Sequence, residues 1–225
     1  MSNSFPCPPA AIIFDMDGLL VDSERLWKVA ETNLLADHGA TYSDEKHAPF
    51  IGMGLDEFLP NIKRVYGLDV SVEDMYDDLM ARMLKLVAQD AQPQPGAPET
   101  VEFVVAQGVP RAIASSSPLA LIAATVESQP DWPEIFSTRA SAEEVERGKP
   151  APDVYLLAAE RLGVEPSACI ALEDSPNGAK AAVAAGMTCL AVPDTTHVQP
   201  NAFEGITPYV FEDLHAALEK IRGCF

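Results

Sequence analysis

The chain has 225 residues, of which 48% are hydrophobic and 22% are charged. This composition supports an ordinary hydrophobic core, and the length predicts one large domain or one and a half. The 34 acidic residues outnumber the 15 Lys and Arg residues and give a net charge of -19. Such a charge argues against nucleic acid or an anionic membrane as a partner, and no obligatory protein partner is evident.

The sequence also favours a cytoplasmic location. No apolar run approaches the roughly 18 residues that a membrane span needs, and the N-terminus lacks the features of a signal peptide. The four cysteines have no CxxC spacing and are predicted to be reduced thiols: Cys7, Cys169, Cys189 and Cys224. The four histidines are scattered and are interpreted as surface or turn residues: His38, His47, His197 and His215.

The first predicted element is a strand at residues 11–14, because a short continuous apolar run is typical of a buried parallel strand. Helical spacing follows, and it predicts helices over 23–38, 55–66 and 71–89. The third helix begins at Ser71-Val72-Glu73-Asp74, which has the form of a capping box. Three prolines and a glycine then mark residues 91–100 as a linker.

After the linker, strands and helices alternate. Apolar runs predict strands at 109–115, 168–172 and 187–192. Helices are predicted at 98–107, 118–128, 152–162, 176–185 and 212–222. This alternation indicates an α/β fold with a Rossmann-like parallel sheet. We therefore expect a core of residues 1–22 and 96–225, with residues 23–95 inserted as an all-α helical cap on hinge linkers.

Polar clusters follow the predicted strands or open a helix of the same core. They are Asp15-Met16-Asp17-Gly18, Ser115-Ser116-Ser117, Gly148-Lys149-Pro150 and Glu173-Asp174-Ser175. Taken singly, each cluster also fits an ordinary turn, helix cap or solvated loop. Their common position favours a site, because ligands of open α/β sheets bind at the carboxyl ends of the strands.

The residue types in these clusters suit phosphoryl transfer. Asp15 can attack phosphorus and form an aspartyl-phosphate. Mg²⁺, which prefers oxygen ligands, can bridge Asp15, the backbone carbonyl of Asp17, Asp174 and a phosphate oxygen. Lys149 supplies a second positive charge, and Ser115 supplies a directional donor. Asp17 is then the general acid for the leaving alcohol and the base for water.

Four segments together resemble a known family. Residues 12–24 are similar to the first motif of the haloacid dehalogenase-like superfamily. Residues 112–117, 149–153 and 172–175 resemble its second, third and fourth motifs, in the same order. The helical insert resembles the cap of the subfamily that contains β-phosphoglucomutase and many sugar-phosphate phosphatases.

The resemblance implies a role for each matching residue. It makes Asp15 the nucleophile and Asp17 the acid/base. The implied phosphate-binding groups are the side chains of Ser115 and Lys149 and the backbone N–H groups of Met16 and Ser116. The implied Mg²⁺ ligands are Asp15, Asp17 through its carbonyl, and Asp174, with Glu173 at or just outside the metal shell. The expected function is a Mg²⁺-dependent phosphatase that hydrolyses small phosphorylated metabolites, such as sugar or polyol phosphates.

Two alternatives stay open at this point. In the mutase of this subfamily, a His follows the first motif and an Arg of the cap grips the second phosphate. Trp27 and Leu55 stand near those positions here, which favours hydrolysis, although Arg25, Arg64 or Arg82 could replace the anchor. The other alternative is a non-catalytic metabolite-binding protein.

The cap residues have two interpretations as well. Trp27, Met53 and Leu55 could face the leaving group or belong to the core of the insert, and core is the favoured interpretation for Phe58. Gly52 and Gly54 allow a tight loop near the substrate or a turn between helices.

Overall fold

The computed structural model describes residues 5–50, 53–194 and 198–225. The strands are β1 (Ala11–Phe14), β2 (Arg111–Ser115), β3 (Arg139–Ser141), β4 (Cys169–Glu173) and β5 (Thr188–Ala191). They form one parallel sheet in the order β3-β2-β1-β4-β5. β1 is the central strand, with Phe14 in register with Ile113 of β2 and Leu172 of β4. The predicted α/β fold class is therefore confirmed.

Helices make up the insert between β1 and β2. They are α1 (Glu24–Asp37), α2 (Asp44–His47), α3 (Leu55–Tyr66) and α4 (Val72–Asp90). The start of α4 follows the predicted cap, because Ser71 Oγ accepts a hydrogen bond from the backbone N–H of Asp74 at 2.9 Å. α1 and α4 pack against each other, and α4 also packs on the core. The division into domains at residues 23 and 95 stays a prediction.

Helices also cover both faces of the sheet. They are α5 (Ala97–Ala106), α6 (Leu119–Glu127), α7 (Trp132–Ile135), α8 (Asp153–Leu162), α9 (Pro176–Ala184) and α10 (Leu214–Arg222). The alternation along β1 divides the core, because Ile12 and Phe14 join a cluster with α5, α6 and α10, whereas Ile13 joins one with α8 and α9. Within the described ranges, no helix is long and apolar enough to cross a membrane.

The two connections between insert and core run side by side. Val21 and Pro93 form an antiparallel bridge. The N–H of Asp22 donates to the carbonyl of Gln92 at 2.9 Å. Arg25, in the first turn of α1, donates to the carboxylates of Asp22 and Asp90. These contacts therefore hold the two connecting segments together where the insert joins the core.

Three short elements were not expected from the sequence. β3 has a single apolar residue, Ala140, between Arg139 and Ser141, so it carries no apolar run. α2 and α7 have four residues each, too few to show helical periodicity. β3 is an edge strand and pairs only with β2 within the described residues, which explains its short length.

The prediction of four reduced cysteines is wrong for two of them. Cys7 and Cys224 form a disulfide with their Cα atoms 4.8 Å apart. They are 217 positions apart in the chain, so their spacing gave no sign that the chain ends meet. Cys169 and Cys189 are buried free thiols, as expected.

Reducing this disulfide should destabilise the fold. The cross-link restricts the unfolded chain, and its loss typically costs about 2–4 kcal/mol. We expect dithiothreitol or Cys7→Ser to lower the melting temperature by roughly 5–15 °C in a circular-dichroism melt. The Cys7→Ser/Cys224→Ser variant is the control, since dithiothreitol should not change its melting. Equal melting of the wild-type protein with and without reductant would contradict the disulfide.

Candidate active site

Acidic side chains meet where β1 and β4 end. Asp15 directly follows β1, and its backbone N–H donates to the carbonyl of Leu172 at 3.0 Å. Glu173 is the last residue of β4, and Asp174 follows it. One carboxylate oxygen from each of Asp15, Glu173 and Asp174 lies within 4.8 Å of the other two. The parallel strands thus bring residues about 160 positions apart to one edge of the sheet.

Lys149 is the buried cation of this site, with only 4% of its side chain exposed. Its Nζ lies 2.5 Å from Asp15 Oδ1 and 2.6 Å from Glu173 Oε1. It also donates to the carbonyl of Ala114 in β2 at 3.0 Å. Although burial lowers the pKa of Lys149, the two carboxylates outweigh that effect and raise it above its ordinary value. Lys149 is therefore a fixed positive charge.

Glu173 is fully buried, and both of its carboxylate oxygens are occupied. Oε1 accepts hydrogen bonds from Lys149 Nζ and from the Tyr155 hydroxyl, the latter at 2.8 Å. Oε2 accepts from the Ser175 N–H at 3.2 Å and from its hydroxyl at 3.1 Å. A Cβ at Gly178 would lie 1.7 Å from Oε1, so only glycine leaves room for this carboxylate. Glu173 is positioned to hold Lys149.

Asp17 connects the core with the insert. Its Oδ2 accepts hydrogen bonds from Ser115 Oγ at 3.1 Å and Ser117 Oγ at 2.8 Å. Its Oδ1 accepts from Ser23 Oγ at 2.8 Å and, at 3.5 Å, from Trp27 Nε1. Ser23 and Ser117 were not among the predicted site residues, although both lie inside the motifs that carry the resemblance.

Two backbone donors remain beside these side chains. Among the described residues, neither the Met16 N–H nor the Ser116 N–H has a hydrogen-bond partner. They follow β1 and β2, next to Asp15 and Ser115. Unpaired N–H groups at adjacent strand ends can bind the oxygens of an anion.

The acidic cluster fits a divalent cation. Burial raises the pKa of Asp15 to about 8, with Lys149 opposing the shift and Glu173 adding to it. Burial, with the charges of Asp15 and Glu173, also raises the pKa of Asp174 well above its ordinary value. A cation would relieve this repulsion, and carboxylate oxygens are suitable ligands. Glycine is needed at position 18, because its φ angle is positive and because a Cβ there would lie 2.3 Å from Asp174 Oδ2.

A cavity of about 510 Å³ opens above the cluster. Its floor is formed by core residues, namely Asp15, Asp17, Ser115, Ser116, Ser117, Lys149, Asp174 and Ser175. The insert supplies most of its walls, with Glu24, Trp27, Lys28, Glu31, Tyr42, Asp44, His47, Phe50, Met53, Leu55 and Phe58. Trp27, Met53 and Leu55 thus line the cavity. Phe58 also lines it, but this side chain is buried and belongs to the hydrophobic core cluster, as expected.

His47 departs from the expected surface position. It is 3% exposed, and its ring stacks on Tyr42 with centroids 4.1 Å apart. Its position at the end of the short helix α2 could not be read from the sequence. The predictions for Gly52 and His197 concern residues outside the described ranges.

None of the three arginines considered as a phosphate anchor lines this cavity. Arg25 is held by Asp22 and Asp90 where the insert joins the core. Arg82 binds Asp37 at 2.6 Å and Asp78 at 2.9 Å. Arg64 donates to the side chain of Asn61 at 3.0 Å.

Comparison with known proteins places the chain in a family. Residues 9–186 match the model of the haloacid dehalogenase-like hydrolases, and the chain belongs to this family. Hexitol phosphatase B of Escherichia coli (strain K12) is 38% identical over 192 residues, which cover 84% of this chain and 86% of that protein. A probable pseudouridine-5'-phosphatase of Drosophila melanogaster is 36% identical over 187 residues, covering 81% and 80%.

Solved structures agree with this assignment. The crystal structure of CbbY from Rhodobacter sphaeroides in complex with phosphate superposes with a TM-score of 0.80 at 28% identity. The similarity covers 92% of this chain and 95% of that one. The family and its phosphatase relatives identify the protein as a hydrolase of phosphoric monoesters.

The hydrogen bond between Tyr155 and Glu173 should contribute measurably to stability. Tyr155→Phe leaves a fully buried carboxylate with one donor fewer, so we expect the free energy of unfolding to fall by about 1–3 kcal/mol in a urea titration. Tyr209→Phe is the matched control, because the Tyr209 hydroxyl makes no hydrogen bond with the described residues. Equal stability of the two variants would show that the bond does not secure Glu173.

Proposed function

We propose that this protein is a Mg²⁺-dependent phosphatase of small sugar or polyol phosphates that acts through an aspartyl-phosphate at Asp15. The observation that carries the proposal is the position of the Asp15 carboxylate. It lies on the cavity floor, held by Lys149 on one side and close to Asp174 on the other. A buried carboxylate with a cation beside it and space above it suits nucleophilic attack on phosphorus.

Asp15 has one oxygen for orientation and one for attack. Oδ1 is bound by Lys149, and Oδ2 accepts no hydrogen bond from the described residues. In the proposed first step, the bond between Asp15 and phosphorus forms while the bond from phosphorus to the ester oxygen breaks. Asp17 gives its proton to the leaving alcohol. Asp17 then takes a proton from water, which attacks phosphorus and releases phosphate with Asp15 restored.

The transferring phosphoryl group would be held by four groups already at the floor. They are the Ser115 hydroxyl, the Lys149 ammonium and the N–H groups of Met16 and Ser116. Asp15 and Glu173 raise the pKa of the ammonium and so favour its charged form, and both N–H groups lack other partners in the described part of the chain. Fixed donors of this kind stabilise charge that develops on phosphoryl oxygens.

The proposed Mg²⁺ ligands are the carboxylates of Asp15 and Asp174 and the backbone carbonyl of Asp17. Glu173 belongs just outside this set, because its two oxygens already accept four hydrogen bonds. When bound, Mg²⁺ supplies positive charge to the phosphoryl oxygens. The helical residues 23–95 would act as the cap that covers the substrate during turnover.

Hydrolysis is favoured over transfer of phosphate within a hexose phosphate. A mutase must retain a sugar bisphosphate, which requires a cation for the second phosphate. Arg25, Arg64 and Arg82 are engaged elsewhere, and none lines the cavity. The names of the relatives, a hexitol phosphatase and a probable pseudouridine-5'-phosphatase, also point to polyhydroxylated leaving groups.

Replacing the nucleophile should abolish turnover. We expect Asp15→Asn to lower phosphate release by about 10³-fold or more while the far-ultraviolet circular dichroism stays native, because the amide cannot form the aspartyl-phosphate. The exposed acid Asp69 offers a matched control, Asp69→Asn, which should keep wild-type activity. Substantial phosphate release by Asp15→Asn would disprove the nucleophile.

A panel of sugar, polyol and nucleotide monophosphates with Mg²⁺ tests the proposed reaction itself. Release of inorganic phosphate is the expected result. Interconversion of hexose phosphates with little release would instead support the mutase. Absence of any conversion across the panel would support a metabolite-binding protein.

Magnesium binding should depend on pH. The pKa of Asp15 rises from 3.8 to about 8 on folding, so without metal this group makes stability fall as pH rises between those values. Mg²⁺ needs the ionised carboxylate, and it should raise the melting temperature more at about pH 8.5 than at about pH 6. Thermal melts with and without MgCl₂ measure this difference. A pH-independent shift, or an equal shift in Asp174→Asn, would contradict the assigned ligands.

A further inference from the structure

We propose that the cavity walls above the phosphoryl site form an anionic subsite, which accepts uncharged polyhydroxylated or cationic leaving groups and rejects those with a second anionic group. This inference rests on the proposed function and specifies its substrate class. It depends on the side chains that the insert presents to the cavity, and on how each of their charges is balanced.

One face of α1 forms a wall of the cavity. Glu24, Trp27, Lys28 and Glu31 all line it, and their spacing of three or four residues places them on the same side of the helix. Two of the four are acids. The core adds Asp194 to the lining.

The positive charges along the cavity are already balanced. Lys28 Nζ lies 2.7 Å from Asp44 Oδ1, and both residues line the cavity. Lys149 lies between the carboxylates of Asp15 and Glu173. No arginine lines the cavity within the described residues. A second phosphate or a carboxylate on the leaving group would therefore find no unbalanced lysine or arginine in the described walls.

Glu31 and His47 form a polar pair at the wall. Glu31 Oε2 lies 3.1 Å from His47 Nε2, a distance that fits an ion pair, although the orientation does not give a hydrogen bond. His47 Nδ1 lies 3.0 Å from the Tyr66 hydroxyl and 3.3 Å from the carbonyl of Ser43. The imidazole is thus fixed by its neighbours.

Glu24 is the group best placed to meet the hydroxyls of a leaving group. It lines the cavity, and its carboxyl group makes no hydrogen bond or ion pair with the described residues. Burial, together with the nearby Asp17, raises its pKa to about 7. Above that pH the group is an ionised carboxylate without a partner among the described residues, so it can accept hydrogen bonds from substrate hydroxyls or pair with an ammonium, whereas a second anion would be repelled.

The apolar part of the lining suits the carbon skeleton. It consists of Trp27, Phe50, Met53, Leu55 and Phe58. A lining that combines apolar side chains with carboxylates matches a polyol or sugar, which presents both CH groups and hydroxyls.

Two matched pairs of phosphate esters test the subsite. Glucitol 6-phosphate and 6-phosphogluconate are open chains that differ at one end, where the second carries a carboxylate. Glucosamine 6-phosphate differs from glucose 6-phosphate by an ammonium. At about pH 8, where Glu24 is mostly ionised, we expect kcat/KM to be about 100-fold higher for glucitol 6-phosphate than for 6-phosphogluconate, because like charges in a cavity repel strongly. Glucosamine 6-phosphate should react at least as well as glucose 6-phosphate.

Neutral substitutions should weaken this discrimination. We expect Glu24→Gln to lower the ratio of kcat/KM for glucitol 6-phosphate to kcat/KM for 6-phosphogluconate by about tenfold. Glu31→Gln should lower the same ratio. Glu57→Gln is the matched control, because Glu57 is an exposed acid of the insert that does not line the cavity. An unchanged ratio in both Glu24→Gln and Glu31→Gln would overturn the inference.

A binding measurement distinguishes failure of the anionic subsite from failure of the proposed function. If no ester releases phosphate, the proposed function fails, and the subsite is then judged by calorimetry of the same esters with Asp15→Asn and Mg²⁺. Tighter binding of glucitol 6-phosphate than of 6-phosphogluconate supports the anionic subsite. Equal binding, or preference for 6-phosphogluconate, overturns it whether or not hydrolysis occurs.

Discussion

The contact of Lys149 with Asp15 and Glu173 is the interaction on which the rest of the site depends. Carboxylates packed at the ends of β1 and β4 repel each other, and burial increases the cost of their charge. The ammonium, 2.5 Å and 2.6 Å from the two partners, compensates part of that cost. Tyr155 and Ser175 donate hydrogen bonds to Glu173, and Glu173 in turn holds the Lys149 ammonium that binds Oδ1 of Asp15.

In the proposed mechanism, chemistry and selection come from different parts of the chain. The core supplies the proposed nucleophile, Lys149 and the proposed phosphate donors at the edge of the parallel sheet, and the insert supplies most of the cavity walls. Asp17 lies between the two parts, since Ser23 of the connection and Ser115 and Ser117 of the core all donate to its carboxylate. Any movement of the insert would therefore be transmitted to the proposed acid/base. This division suits a family in which one reaction serves many leaving groups.

The sequence predicted those features that depend on residues close together in the chain. The apolar runs predicted β1, β2, β4 and β5, and the four motifs indicated Asp15, Lys149 and Asp174 as candidate site residues. The strand β3 was not predicted, because Arg139-Ala140-Ser141 has no apolar run. The disulfide was not predicted either, because it joins cysteines at the two ends of the chain. The role of Gly178 was also out of reach, because only the folded chain brings the Glu173 carboxylate against its Cα.

The central claim is that phosphorus is transferred to residue 15, and covalent trapping tests it most directly. The holoenzyme with Mg²⁺ is mixed with a reactive phosphomonoester, quenched in acid, and treated with borohydride, which reduces an aspartyl-phosphate to homoserine. Peptide mass spectrometry should locate homoserine at position 15 in proportion to the trapped phosphoryl group. Trapping at another carboxylate, or steady turnover with no modification at position 15, would contradict the account.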